Sequence, residues 1–424
     1  MIGNIAFGLF GLAVLILVAF LFCQNKQSID WRQIAAGVLL QIAFAILVIL
    51  VPGGREFFNA ISAVFVKTID FALVGANFIF GDMASSAKFG FIFAFQVLPT
   101  IIFFASLMSV LYHIGLMQKV VAAMAWVMMK VLRVSGSESL SVAANVFIGQ
   151  TEAPLVVRPY IAKMTESELF TMMVGGMATI AGAVLAAYIA MLGGADEVQR
   201  LFYARHLLAA SVMAAPATIV IAKLLKPEIS QSQTAGNVRL EVEKTATNVI
   251  EAAANGAADG VKLALNVGAM LLAFVALIAM INYPLGWLGS ATGIEGMIGQ
   301  PLSMSAILGY LLSPLAWIIG VPWSEAQIVG GLIGEKIVLN EFIAYLHLGE
   351  IKDTLSEHSV LISTYALCGF ANFSSIAIQL GGIGGLAPNR RPDIARLGMK
   401  AVLGGTLATM MTATIAGVLT KLAG

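Results

Sequence analysis

Apolar runs about twenty residues long recur along the whole chain, and no other feature narrows its possible folds so sharply. Eight stand out, at 2–23, 33–52, 92–113, 169–193, 204–225, 262–283, 358–383 and 396–422. Each matches the ~20 residues that a helix needs to cross the hydrocarbon of a bilayer. Unpaired backbone groups are not tolerated there, so runs of this length read as helices. They are continuous rather than alternating, which excludes a membrane β-barrel. Composition agrees: charged residues are 11% of the 424, against about 25% in soluble domains. With 24 basic and 23 acidic side chains, the formal net charge is only +1. A soluble enzyme, a disordered chain and a basic nucleic-acid binder are excluded. The expected class is an all-α polytopic membrane protein.

The first run carries no preceding basic residue and no small-residue cleavage site, so it reads as a retained helix. Cys23 and Cys368 lie at or within apolar runs, and the four histidines show no paired-ligand spacing. Residues 54–90 mix charge with apolar positions and suit one or two amphipathic helices. The polar, then Ala-rich stretch 226–262 suits a linker followed by a surface helix or a solvated connector. Placing the 24–32 loop inside the cell puts sixteen of the 24 Lys and Arg residues inside, with NRRPDIAR at 389–396 contributing most.

Two regions, 115–165 and 285–350, are apolar yet broken by Gly, Pro, Ser and charge. Irregular backbone at membrane depth survives where protein or a cavity satisfies it, so re-entrant hairpins are expected. The two regions share an order of features. A Ser-Glu pair (Ser137–Glu138, Ser324–Glu325) precedes an apolar run and then an acidic tip, Gln150-Thr151-Glu152 in one and Asn340-Glu341 in the other. A polar-spotted helix follows each, with Thr179 in the first and Asn372, Ser374 and Ser375 in the second. By the charge orientation the hairpins enter from opposite sides. That makes an inverted repeat, the plan of many secondary transporters.

A carboxylate at membrane depth is a functional-site hypothesis by default, so Glu152 and Glu341 lead the candidates. Gln150, Thr151, Asn372 and Ser375 add neutral donors and acceptors. No arginine lies in either tip, as a phosphate or dicarboxylate would require. A neutral solute rich in hydroxyl or amide groups fits better, with Phe370 or Phe373 available to pack on a flat ring. Asn145 and Thr179 offer hard oxygens for a coupling ion.

The strings GQTEAP at 149–154, GEKIVLNEFIAY at 334–345 and GFANFSSIAIQ at 369–379 resemble the concentrative nucleoside transporters, with Gly334, Lys336, Asn340-Glu341-Phe342, Ala344 and Tyr345 matching that family's signature. The likeness covers almost the whole chain and favours a bacterial member, in the inner membrane. It implies a homotrimer of eight-helix protomers with two hairpins, interfacial helices and an elevator-like transport domain. The implied division is 1–114 scaffold, 115–226 first transport repeat, 227–283 linker with an amphipathic and a scaffold helix, and 284–424 second transport repeat.

The resemblance gives the nucleobase to Gln150, Thr151, Glu152 and Val184, and the ribose to Glu341, Asn372 and Ser375, with Phe370 lining the pocket. It gives sodium to side-chain oxygens of Asn145 and Thr179 and to carbonyls of Asn145, Ile148 and Ile180. Some sodium-coupled relatives carry Ser where this chain has Thr179. Proton-coupled relatives tend to lack the asparagine of position 145, so sodium is expected as the coupling ion. The implied activity is sodium-coupled nucleoside import, uridine being a natural probe; the alternative is a proton-coupled version. No enzyme and no nucleic-acid partner is expected.

Overall fold

The computed structural model describes residues 2–234 and 246–423; the linker positions Arg239 and Lys244 lie outside that range. The described residues contain helices and no strand. Those of ten or more residues begin with α1 (Ile2–Leu21), α2 (Trp31–Ile49), α3 (Pro52–Phe80), α4 (Leu98–His113) and α5 (Leu116–Leu132). The first repeat holds α6 (Gly136–Asn145), α7 (Glu166–Ala178), α8 (Gly182–Gly193) and α9 (Glu197–Leu225). Next come α10 (Val249–Thr292) and α11 (Met304–Ile318). The second repeat holds α12 (Trp323–Val338), α13 (Glu341–Ile351), α14 (Glu357–Leu367), α15 (Phe373–Leu386) and α16 (Arg391–Ala423).

Side-chain caps set many of the helix starts. Ser135 and Thr165 form capping boxes with Glu138 and Glu168 ahead of α6 and α7. Asp196, Asn340, Ser356 and Asn372 cap α9, α13, α14 and α15. Between the helices the hairpins turn where expected: α6 ends at Asn145 before the Gln150 tip, and α12 and α13 are joined through Leu339 and Asn340.

Eight helical stretches among the described residues are long and apolar enough to cross a bilayer. Seven overlap expected runs, most with ends moved by a few residues, while 262–283 lengthens to 249–292 and 396–422 begins at 388. The run 358–383 instead becomes two helices, α14 and α15, because Asn372 caps a new helix start where a single crossing would have continued. The other long stretch is Pro52–Ala84, the segment with amphipathic character. Its α3 buries Ser62, Val66, Ile69, Ala72 and Ala76, a single stripe at helical spacing. The Ala-rich segment before 262 is no separate surface helix. It is the first part of α10, a single helix of 44 residues and about 66 Å. Small residues let it dock: a Cβ at Gly260 would lie 2.7 Å from Ile102 Cα of α4.

Burial separates two groups. The most apolar windows of α7–α8, α9 and α16 are 94, 89 and 89% buried, whereas those of α1, α4 and α10 are 28, 28 and 17% buried. The two repeats therefore form the core, and the remaining long helices form a jacket with apolar outer faces. The base of repeat 1 is tied by charge. Buried Lys223 pairs with buried Glu138 and donates to Ser167 Oγ at 2.9 Å, and Ser137 Oγ donates to Glu168 at 3.2 Å. At the base of repeat 2, Ser356 Oγ donates to Glu325 at 2.8 Å. In both, the hairpin is fastened to the start of the broken helix that follows it.

Candidate substrate and cation site

Each broken helix stops in mid-path. Thr179 leaves α7 in extended backbone and α8 restarts at Gly182, while Cys368 ends α14 and α15 restarts at Phe373. Such ends free backbone groups for other partners. Here the two breaks cross, and the Phe370 N–H donates to the Thr179 carbonyl at 3.3 Å. Gly369 makes the crossing possible, since a Cβ there would lie 2.9 Å from Met177 O.

The hairpin tips close over these breaks through hydrogen bonds. Glu341 is buried at the first residue of α13. Tyr188 Oη donates to its Oε1 at 3.1 Å and Asn372 Nδ2 to its Oε2 at 2.9 Å. Asn372 Oδ1 caps α15 by accepting from Ser375 N at 2.9 Å. Gln150 Nε2 donates to Ser375 Oγ at 3.1 Å. Gln379 Nε2 in turn donates to Gln150 Oε1 at 3.1 Å and to Met173 O at 2.9 Å. One polar network thus runs through both tips and both broken helices. Bonds in a buried network are costly to leave unmade, so any guest has to exchange bonds with it.

The network has a register. Gln150 and Glu341 are 191 residues apart, and so are their donors Tyr188 and Gln379 (341 minus 150, 379 minus 188). The same offset separates the starts of α7 and α14, at 166 and 357, and those of α8 and α15, at 182 and 373. Each tip is therefore held by a helix of the other repeat. The position in repeat 1 that matches Glu341 is Gln150, two residues before Glu152.

Glu341, Asn372, Ser375 and Gln150 are thus joined directly. Thr151 is half-buried and rests against Gly382. Val184 is buried in the first turn of α8, and Phe370 is half-buried in the second break. Glu152 stands apart from the network: it is exposed, with its carboxylate folded over Gly149. Asn145 and Thr179 both meet Gly175. A Cβ there would lie 3.4 Å from Asn145 Nδ2, and Thr179 Oγ1 donates to its carbonyl at 2.8 Å. Asn145 Oδ1 is buried with no hydrogen-bond partner among the described residues. An orphaned amide oxygen suits a hard cation, so the residues fit a sodium ligand set. Ile148 lies in the tip turn and Ile180 in the first break.

Tyr188 and Gln379 were not expected to carry the site. Gln379 had a readable signal, because 372, 375 and 379 fall on one helical face. Tyr188 had none, since a tyrosine in an apolar helix reads as packing.

Comparison with known proteins agrees with this architecture. Family models for the Na+ dependent nucleoside transporter N-terminus and C-terminus match residues 10–83 and 206–417, and a nucleoside recognition (gate) model matches 94–195. An uncharacterised transporter, YutK of Bacillus subtilis, is 48% identical, covering 98% of this chain and 99% of its own. The nucleoside permease NupC of Helicobacter pylori is 44% identical over 98% of both chains. Human sodium/nucleoside cotransporter 1 is 39% identical over 96% of this chain and 63% of its own length. Among solved structures, CNTnw in an inward-facing, substrate-bound state superposes with a TM-score of 0.89 at 47% identity, covering 98% of this chain and 99% of that one.

Proposed function

The chain belongs to the family of Na+-dependent nucleoside transporters, and from that premise we propose that it is a sodium-coupled nucleoside importer of a bacterial inner membrane, working as a homotrimer. The observation that carries the reading is the polar network across the two tips, Tyr188–Glu341–Asn372 and Ser375–Gln150–Gln379. It presents a carboxylate, amides and hydroxyls without an arginine, which suits a neutral sugar-bearing solute.

Sodium at Asn145, Thr179 and the carbonyls of Asn145, Ile148 and Ile180 orders the first tip. The nucleoside takes over bonds that the tips now make with each other. Its base meets Gln150, Thr151, Glu152 and Val184, and its ribose meets Glu341, Asn372 and Ser375 beside Phe370. With its polar groups covered, the body formed by the two repeats moves against the jacket helices in an elevator-like step. No covalent chemistry is needed.

A buried carboxylate can also carry a proton, so Glu341 favours proton coupling as the second reading. Labelled uridine uptake into proteoliposomes separates the two. Uptake is expected to require sodium, to be competed by nucleosides and not by dicarboxylates. Undiminished uptake in sodium-free buffer with an imposed pH gradient would overturn sodium coupling.

A further inference from the structure

We infer that the Lys336 ammonium is a fixed cation in repeat 2, standing where repeat 1 takes its exchangeable sodium, so that the transporter binds one mobile cation per cycle rather than two. The inference rests on the sodium reading of Asn145 and extends it to the number of ions. Lys336 is fully buried. Its Nζ donates to Ala366 O at 2.8 Å and to Thr409 Oγ1 at 2.9 Å. Ala366 lies in the last turn of α14, where terminal carbonyls lack helical partners and carry the negative end of the helix dipole. A buried ammonium is unfavourable unless such acceptors surround it. Packing alone would be served as well by methionine.

The register ties this arrangement to repeat 1. Subtracting 191 from 336, 366 and 409 gives Asn145, Gly175 and Thr218. These three also meet. A Cβ on Gly175 would lie 3.4 Å from Asn145 Nδ2 and 3.6 Å from Thr218 Cγ2. In repeat 2 the corner is completed by a tethered positive charge. In repeat 1 two of the residues that meet there each carry a buried oxygen, Asn145 Oδ1 and Thr218 Oγ1, with no hydrogen-bond partner among the described residues. An ammonium and a monovalent metal ion carry the same charge and both need oxygen acceptors. The two repeats thus offer equivalent cation corners, one closed covalently by Lys336 and one open to exchange.

The test is the charge moved per labelled uridine by the full chain in proteoliposomes, together with the sodium dependence of uptake. The wild-type protein is expected to move about one charge per uridine with a Hill coefficient of about one. Lys336→Asn, which copies the Asn145 corner, is expected to raise both toward two, and Lys336→Arg to leave both near one. Should Lys336→Asn fail to transport, the dependence of its melting temperature on the logarithm of sodium concentration reads the same number. That slope is expected to be about twice the wild-type slope. Two charges per uridine in the wild-type protein, or a Lys336→Asn variant with unchanged charge ratio or slope, would overturn the inference. One charge per uridine carried by protons without sodium would defeat the sodium reading alone, leaving Lys336 as the second cation.

Discussion

Each oxygen of the Glu341 carboxylate accepts from one donor, Tyr188 on one side and Asn372 on the other. Glutamine at 341 would remove the charge from both bonds and leave one acceptor oxygen, so that the bond with the Tyr188 hydroxyl must reverse its direction or be lost. A hydrogen bond to a charged group contributes about 1.5–3 kcal/mol, or about 10- to 100-fold in an equilibrium. Glu341→Gln is therefore expected to lower initial uridine uptake about 10- to 100-fold while the detergent-solubilised protein keeps its melting temperature. Near-normal uptake would remove Glu341 from the site. Tyr188→Phe deletes one donor only, so a KM raised about 10-fold is expected. The acidic residue at 341 was legible because a membrane-depth carboxylate is conspicuous in one sequence. Its tyrosine partner was not, because that bond crosses from one repeat to the other between residues 153 positions apart.

At the scale of elements, the two breaks matter more than the spans around them. Gly369 sits against Thr409 Cγ2 and the backbone of Met177 and Ala178, so the Cβ of Gly369→Ala would press on backbone that cannot move aside. Overpacking of this kind costs typically ~1–3 kcal/mol. The expected result is lowered uptake together with a lower melting temperature; a variant unchanged in both would argue against close crossing of the breaks. The Lys223–Glu138 pair is buried on both sides. Removing one partner of such a pair costs about 3–5 kcal/mol. Lys223→Met should lower the thermal stability markedly, and adding Glu138→Gln should restore part of it, as a double-mutant cycle in detergent would read. Break positions were only partly legible. Thr179 and Asn372 announce polar interruptions, yet 358–383 still passes as one apolar crossing, because hydropathy averages over the cap that splits it.

For the whole molecule, the proposed movement sets a body of two buried repeats against poorly buried jacket helices. Arg200 of α9 bonds Asp70 of α3 at 2.9 Å across that boundary. If the body moves, the contact must break during the cycle. A bifunctional thiol-reactive cross-linker with a reducible spacer, joining cysteines placed at 70 and 200, is expected to stop uridine uptake, and a reductant to restore it. Full uptake by the cross-linked protein would count against relative movement of these helices. The repeat itself was visible as an order of features, but its register was not. Sequence comparison pairs Glu152 with Glu341 as tip acids, whereas the contacts pair Gln150 with Glu341.

Hydropathy along the chain was sufficient to determine an all-helical membrane protein, because a bilayer accepts so few backbone solutions. The spacing of its polar residues was sufficient to point at two hairpins, a polar-spotted helix after each, and most of the groups between them. Tertiary structure alone decided which donor meets which acceptor, and that Lys336 closes one corner while Asn145 leaves the other with unpaired oxygen. The reason is physical: burial in a low-dielectric interior makes an unpartnered polar atom costly, and the partners that join the two tips, Tyr188 for Glu341 and Gln379 for Gln150, come from the opposite repeat, far away along the chain.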